Sequence, residues 1–186
     1  MRLFVAVEIA PDIREKIISF IEKVRTDIAS ARWVRPEGLH ITVKFLGNVA
    51  DERRAAIEGA LGRVKATCFS LAVQGVGVFP NARSPRVLWV GIESGPELGH
   101  LAAEVDKTMA PLGFEREKRA FTPHVTLARF NDPRRVSVSS ALSAPDASFG
   151  RMTATQFHLY ESHLSPQGSR YAKLASFALE GDASVR

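Results

Sequence analysis

The chain contains His40-Ile41-Thr42-Val43 in its first half and His124-Val125-Thr126-Leu127 in its second half. In an extended strand, residues two positions apart point to the same face. Each stretch therefore predicts a strand that presents a histidine and a threonine together on one face. The apolar residues between them point to the other face, where they fix the strand to a core. The sequence thus predicts two equivalent strands, each carrying an imidazole beside a hydroxyl.

The elements predicted around these two strands follow one order. In each half an apolar strand comes first, followed by a helix with apolar residues at helical spacing, the histidine strand, a second helix and a further strand. Leu3 and Val87, which begin the two apolar strands, each stand 37 residues before the histidine of their half. The offset between the halves is therefore 84 residues at both points. This agreement predicts an internal repeat of approximately residues 1–80 and 85–180.

The predicted organisation is a single domain, residues 1–186, built from two lobes. A duplicated unit of strands and helices would pack as two pseudo-symmetric α+β lobes. A site is expected in the cleft between such lobes. Two strands, at residues 152–164 and 171–179, are predicted to close the fold, joined by a turn at residues 165–168. The dipeptide Asp132-Pro133 is predicted to begin a short helix.

Composition and charge narrow the class of protein. Of the 186 residues, 45% are hydrophobic, which is enough for a packed interior and too many for a disordered chain. The formal net charge of +5 suits an anionic ligand, although many globular proteins carry such a charge. The single cysteine excludes a disulfide framework and favours a reducing compartment.

The location and assembly of the protein are expected from what the sequence does not contain. No secretory signal is visible, and no stretch approaches the roughly 20 apolar residues that span a bilayer. We therefore expect a cytoplasmic protein without a membrane partner. We also expect a monomer, because no long amphipathic stretch is left unexplained.

If the two lobes face each other, two histidines and two threonines surround one cavity. Histidine titrates near neutral pH, so one imidazole can be neutral while the other is charged. A neutral imidazole takes a proton from water and a charged one gives a proton to a leaving oxygen, which typically contributes roughly 10²–10⁴-fold in rate. Threonine hydroxyls donate hydrogen bonds to phosphoryl oxygens. The four side chains therefore predict hydrolysis of an activated phosphodiester without a metal.

Longer stretches around the two motifs carry a resemblance to a known family. These stretches are Leu3-Phe4-Val5-Ala6-Val7, Trp33-Val34, His40-Ile41-Thr42-Val43-Lys44-Phe45-Leu46-Gly47, Leu88-Trp89-Val90-Gly91, Phe121-Thr122-Pro123-His124-Val125-Thr126-Leu127-Ala128-Arg129 and Leu159-Tyr160-Glu161-Ser162. The chain resembles the two-histidine (2H) phosphoesterase superfamily, whose defining feature is a pair of His-x-Thr-x motifs. Within it, the chain is similar to the RNA 2',3'-cyclic phosphodiesterase family, once described as tRNA 2'-5' ligases. The resemblance runs nearly from end to end.

The resemblance implies a fold, a reaction and residue roles. The fold would be α+β and bilobal, with two pseudo-symmetric antiparallel sheets, outer helices and a central cleft. The reaction would open a terminal 2',3'-cyclic phosphate on RNA or an oligonucleotide to a 2'-phosphomonoester, with reversible 2'-5' RNA ligase activity as a second reaction. By motif position, His40 would be the proton donor and His124 the proton acceptor, while Thr42 and Thr126 would bind the phosphate. No cofactor and no metal is expected.

Three further residues are candidates for substrate binding. Arg129 follows the second motif, where related proteins also carry arginine, but strict alternation places it on the face opposite His124. Phe45 also falls off the histidine face by alternation; it could stack on a base at the cleft edge, and core packing is the alternative. Tyr160 shares a strand face with His158 and could border the cleft, the alternative being an exposed strand face for both.

Two other functions stay open. One is a different enzyme of the same superfamily, acting on 2'-5'-linked oligonucleotides or on small cyclic nucleotides. The other is a non-catalytic module that binds RNA ends. Intact histidines in both motifs argue against the module, because binding needs no proton transfer. The alternative enzyme shares the catalytic atoms and would differ only in what surrounds the cleft.

Overall fold

The computed structural model describes residues 1–28, 31–132, 136–165 and 168–181. The α-helices in these ranges are α1 (Pro11–Val24), α2 (Arg54–Leu61), α3 (Pro96–Met109) and α4 (Ser139–Leu142). The strands are β1 (Arg2–Glu8), β2 (Ala31–Trp33), β3 (His40–Asn48), β4 (Phe69–Phe79), β5 (Val87–Ser94), β6 (His124–Phe130), β7 (Ser148–Ala154), β8 (Gln156–Ser165) and β9 (Gly168–Ala178). Among the described helices, none is long and apolar enough to cross a membrane.

The described strands form one continuous sheet in which neighbouring strands are antiparallel. Their order is β7-β4-β5-β6-β3-β1-β8-β9, and β2 pairs with β6. Outward from the contact of β6 with β3, one half runs β6, β5, β4, β7 and the other runs β3, β1, β8, β9. The two expected antiparallel sheets are thus the two halves of this sheet. The internal repeat stays a prediction, which the matched order of the halves supports.

Within the described ranges, the histidine strands β3 and β6 pair with each other through a single residue pair. Ile41 of β3 lies opposite Val125 of β6, and both side chains are fully buried. We call this pair the β3–β6 junction. In contrast, β8 pairs with β9 along its whole length, from Gln156 to Ser165. Because the junction is so short, the two histidine strands diverge on either side of it and leave a cleft open.

The two long helices cover the sheet with their apolar faces. Pro11 and Pro96 begin α1 and α3, at the first helical position, where the missing N–H would have had no helical partner. α1 follows β1 in the chain but packs against β7 in the other half, and α3 follows β5 but packs against β3. Each half therefore contributes a helix to the other, so the two halves share one hydrophobic core.

The closing strands differ from the sequence-based expectation. Residues 152–164, predicted as one strand, belong to two strands that are separated at Thr155. The reason is that β7 pairs with β4 in one half and β8 pairs with β1 in the other. The predicted turn at residues 165–168 and the helix start at Asp132-Pro133 fall partly on Pro166, Gln167 and Pro133, which lie outside the described residues.

We expect Ile41→Ala to destabilise the protein more than the same truncation at a partly buried isoleucine. It removes a fully buried side chain at the β3–β6 junction, so the free energy of unfolding should fall by about 2–5 kcal/mol. Ile18→Ala is the control, because Ile18 is only partly buried on α1 and should cost about half as much or less. Urea denaturation measures the free energy of unfolding of both variants. Equal losses of this free energy would contradict the full burial of Ile41 at the β3–β6 junction.

Candidate active site

The junction brings the two motifs together. Its antiparallel register puts His40 across from Thr126 and Thr42 across from His124. These four side chains are partly exposed on the face opposite the buried junction residues. Each histidine therefore faces the threonine of the other half, at the cleft that the sequence predicts.

A bulge after each motif changes which side chains reach the cleft. Val43 has no partner in β1, and Leu127 has no partner in β5. A bulge inserts one residue, so the alternation of faces reverses beyond it. Phe45 and Arg129 consequently share the face of the histidines, and Phe45 is 61% exposed. The prediction from strict alternation, which turned both away from that face, is wrong; both line the cleft.

Each imidazole is oriented by the backbone two residues before it. The Nδ1 of His124 lies 2.8 Å from the carbonyl oxygen of Thr122. A carbonyl oxygen only accepts, so Nδ1 carries a proton and donates it, which leaves Nε2 as the acceptor of the neutral ring. In His124, Nε2 is thus the nitrogen able to exchange a proton in the cleft. His40 also has a hydrogen bond with the backbone of the residue two positions before it, Gly38.

Aromatic rings enclose His40. The ring centroids of Phe4 and Tyr171 lie 4.7 Å and 5.2 Å from that of His40. Burial is the main cause that lowers the pKa of His40 from 6.5 to about 4, and the charges of Arg129 and His124 act in the same direction. The hydrogen bond with the backbone opposes this shift only in part. Without a ligand, His40 is therefore neutral at pH 7.

Two cavities meet at the cleft. The smaller, about 540 Å³, contains His40 and Thr126, and the larger, about 1290 Å³, contains His124. Thr42 and Phe45 line both cavities, so the cleft is continuous between them. In the described part of the chain, no three His, Cys, Asp or Glu side chains gather in a way that could hold a metal ion.

His124 lies in a different environment from His40. The rings of Phe79 and His124 are nearly perpendicular, with 5.1 Å between their centroids, and both residues line the larger cavity. Sequence reasoning did not single out Phe79, Phe4 or Tyr171 as residues of the site. Nothing in their local pattern separates them from core aromatics, because their contacts with the histidines join strands far apart in sequence.

Tyr160 lies behind the cleft and lines neither cavity. Its ring stacks on Phe4 with 5.3 Å between centroids, and its hydroxyl donates to Glu8 at 2.8 Å. Burial, followed by the Glu8 carboxylate, raises the pKa of Tyr160 and keeps its hydroxyl protonated. The expectation that Tyr160 and His158 lie on an exposed strand face is wrong, because they are only 7% and 4% exposed. Side chains of the neighbouring strands β1 and β9 pack against them. One of these is Ser176, whose Oγ lies 2.9 Å from Nδ1 of His158.

A buried ion pair anchors the segment before β6. Lys44 follows the bulge in β3 and therefore points into the core, where its Nζ lies 2.5 Å from Oδ1 of Asp106 and 2.9 Å from the carbonyl oxygen of Glu115. Asp106 also accepts from the backbone N–H of Glu117. Although burial raises the pKa of Asp106, the hydrogen bonds from Lys44, Glu117 and Arg116 lower it below its usual value. This network ties α3 and β3 to the segment that leads to His124.

The paired motifs and their strands decide the family. A family model of LigT like phosphoesterases matches the chain twice, at residues 7–89 and 90–171, and each match contains one motif. The chain belongs to the LigT like phosphoesterase family.

Relatives of this phosphoesterase match it along nearly its whole length. The RNA 2',3'-cyclic phosphodiesterase of Archaeoglobus fulgidus is 38% identical over 177 residues, which cover 95% of this chain and 99% of the relative. The protein of the same name from Escherichia coli K12 is 32% identical over 180 residues, 96% of either chain. Among solved structures, E. coli LigT complexed with 3'-AMP has a TM-score of 0.81 at 31% identity, covering 97% of this chain and 98% of that one. The bilobal fold of these phosphoesterases is therefore the fold of this chain.

We expect the pKa of His40 to respond to Arg129. The ring should titrate at about 4 in the ligand-free protein, and Arg129→Gln should raise this pKa because a positive charge beside the imidazolium is removed. NMR titration of the ring protons measures the shift, with His40→Gln used to assign the signal. Arg151→Gln is the control, since Arg151 is exposed on β7 and lines neither cavity. A pKa near 6.5 in the wild type would contradict the burial assigned to the ring.

Proposed function

We propose that this phosphoesterase opens terminal 2',3'-cyclic phosphates on RNA or oligonucleotide ends to 2'-phosphomonoesters, by acid–base catalysis between its two histidines and without a metal. The observation that carries the proposal is the register at the β3–β6 junction. It sets each histidine across from the threonine of the other half in one cleft. The names of the relatives support the substrate class.

Each histidine makes one proton transfer in this reaction. The Nε2 of neutral His124 accepts a proton from water, whose oxygen attacks the phosphorus. The bond between phosphorus and the 3'-oxygen breaks, and Nε2 of protonated His40 gives its proton to that oxygen. The products are a 2'-phosphomonoester and a free 3'-hydroxyl. The hydrogen bond of His124 with Thr122 supports the acceptor role, because it keeps Nε2 unprotonated in the neutral ring.

His40 must gain a proton for this role. In the ligand-free protein its pKa of about 4 leaves it neutral at pH 7. A bound cyclic phosphate places a negative charge beside the ring, and an opposite charge within about 4–6 Å typically raises such a pKa by roughly 1–3 units. Substrate binding would therefore supply the charge that makes His40 an acid. Turnover should weaken as the pH rises through the pKa of His40 in the complex.

The remaining cleft residues would position the substrate. The hydroxyls of Thr42 and Thr126 would donate to the phosphoryl oxygens, and the guanidinium of Arg129 would bind the substrate farther along the same strand. Phe45 is exposed where the two cavities meet, so its ring is accessible for stacking on the terminal base. Tyr160 would support both Phe4 and His40, because its ring stacks with each of theirs, with 5.3 Å and 6.2 Å between centroids. Action as a monomer and a cytoplasmic location stay predictions of the sequence.

A substrate panel tests the proposal against the other functions. The panel contains an RNA ending in a 2',3'-cyclic phosphate, a 2',3'-cyclic mononucleotide and a 2'-5' dinucleotide, each assayed with excess EDTA. Opening of the RNA end to a 2'-phosphate in EDTA is the expected result. Preference for the 2'-5' dinucleotide would favour the alternative enzyme of the superfamily. Binding of RNA ends without turnover of any substrate would favour a binding module.

Substitution of the motif residues tests the shared site. His40→Ala and His124→Ala should each lower kcat on the cyclic phosphate by at least about 10²-fold, because each removes one proton transfer. Thr42→Ala and Thr126→Ala should each cost less, since each removes one hydrogen bond to the phosphate. The double histidine variant should be scarcely worse than the worse single one, as groups that act as a unit are not additive. Full activity of either histidine variant would exclude this mechanism.

A sulfur substitution separates the two histidines. When sulfur replaces the 3'-oxygen of the cyclic phosphate, the leaving group is stable as an anion and needs no acid. His40→Ala should then recover much of its lost rate, whereas His124→Ala should not, because water must still lose a proton. Single-turnover rates on the oxygen and sulfur substrates measure the rescue. Rescue of His124→Ala alone would reverse the assigned roles, and a 3'-phosphate product would show that the other bond is cleaved.

A further inference from the structure

The smaller cavity has a strongly basic wall at the paired strands β2 and β6. Arg32 of β2 lies directly opposite Arg129 of β6 in the antiparallel register. Both side chains line the cavity, as do Arg2 and Arg35. Like charges directly opposite each other on neighbouring strands destabilise a sheet. This arrangement therefore favours a negative charge between the two arginines.

Among the described residues, no carboxylate supplies a negative charge between these arginines. Arg2, Arg32 and Arg129 make no hydrogen bond or ion pair with a carboxylate among the described residues, and no Asp or Glu lines the smaller cavity there. All three guanidinium groups belong to exposed residues. They are thus accessible to a ligand in the cavity.

Arg116, which occupies the position of Arg32 in the other half, has a carboxylate partner. Arg116 stands 84 residues after Arg32, and its Nε lies 3.2 Å from the carboxylate of Asp106. The larger cavity, which Arg116 lines, contains acidic side chains as well, among them Glu115 and Glu117. One half therefore neutralises its arginine with its own carboxylate, whereas the half at the smaller cavity leaves Arg32 unneutralised among the described residues.

The position of the basic wall indicates which anion it takes. Arg129 stands three residues after Thr126 on β6, but because Leu127 is bulged, the two lie opposite Val87 and Trp89 of β5, which corresponds to about 7 Å along a strand. The threonines at the junction are assigned to the cyclic phosphate, so Arg32 and Arg2 extend beyond that phosphate along the same cavity. In an RNA that ends in a cyclic phosphate, the nearest other phosphate is the one on the 5'-oxygen of the terminal nucleotide. Guanidinium groups bind phosphate oxygens through paired hydrogen bonds.

We infer that Arg32, Arg129 and Arg2 form a second phosphate subsite, which binds the phosphodiester preceding the terminal nucleotide. This inference rests on the proposed function, because it assumes that the cyclic phosphate occupies the junction. The subsite makes the enzyme prefer oligonucleotide ends over nucleoside cyclic phosphates. It does so through a charge and without reading the base.

Two dinucleotide substrates test the subsite. Both end in a 2',3'-cyclic phosphate, and the linkage between their nucleosides is a phosphodiester in one and an uncharged methylphosphonate in the other. The wild type should show a higher kcat/KM for the phosphodiester, mainly through KM. Arg32→Gln should reduce this preference by about 10-fold or more, the usual effect of losing a charge-assisted hydrogen bond. Arg32→Lys, which keeps the charge, should retain part of the preference.

Arg151→Gln on β7 is the matched control and should keep the wild-type preference. Thermal unfolding of Arg32→Gln should not fall below that of the wild type, because one of two opposed charges is removed. An unchanged preference in Arg32→Gln, or an equal loss on both substrates, would overturn the subsite while leaving the proposed function intact. If the wild type opened neither dinucleotide, the proposed function would fail, and the subsite inference with it.

Discussion

Ile41 and Val125 meet at the centre of the sheet, and the register that they set decides which side chains face each other in the cleft. A shift of this pair by one residue would turn the histidines into the core, because successive residues of a strand point to opposite faces. The contact is also short, so the strands diverge and leave room for a ligand. Catalytic geometry and access to the cleft therefore depend on the same buried pair.

The bulges after the two motifs extend the cleft beyond the histidines. They occupy corresponding positions in β3 and β6, at Val43 and Leu127. In β3 the bulge turns Phe45 toward the cleft and Lys44 into the core, where Lys44 pairs with Asp106. In β6 it turns Arg129 toward the cleft. The bulge in β3 therefore affects both the residues that line the cleft and the packing of α3.

The two halves share a backbone plan but not an electrostatic environment. Rings and positive charges around His40 hold its pKa low, while His124 lies beside the larger cavity. The arginines differ in the same way, since Arg116 has Asp106 as a partner and Arg32 faces another arginine. The residues that surround each imidazole are therefore unlike, which supports the two different proton transfers that we propose for a symmetric pair of motifs.

The sequence by itself determined the two motifs, their strands, the α+β class and the resemblance that names the reaction. These features are local, since the spacing of His40 and Thr42 already fixes their common face. Only the tertiary structure decided that Phe45 and Arg129 reach the cleft, that Tyr160 is buried and that Arg32 opposes Arg129. The reason is physical: a bulge is defined by the strand beside it, and burial and charge at a position depend on residues that are distant in the chain.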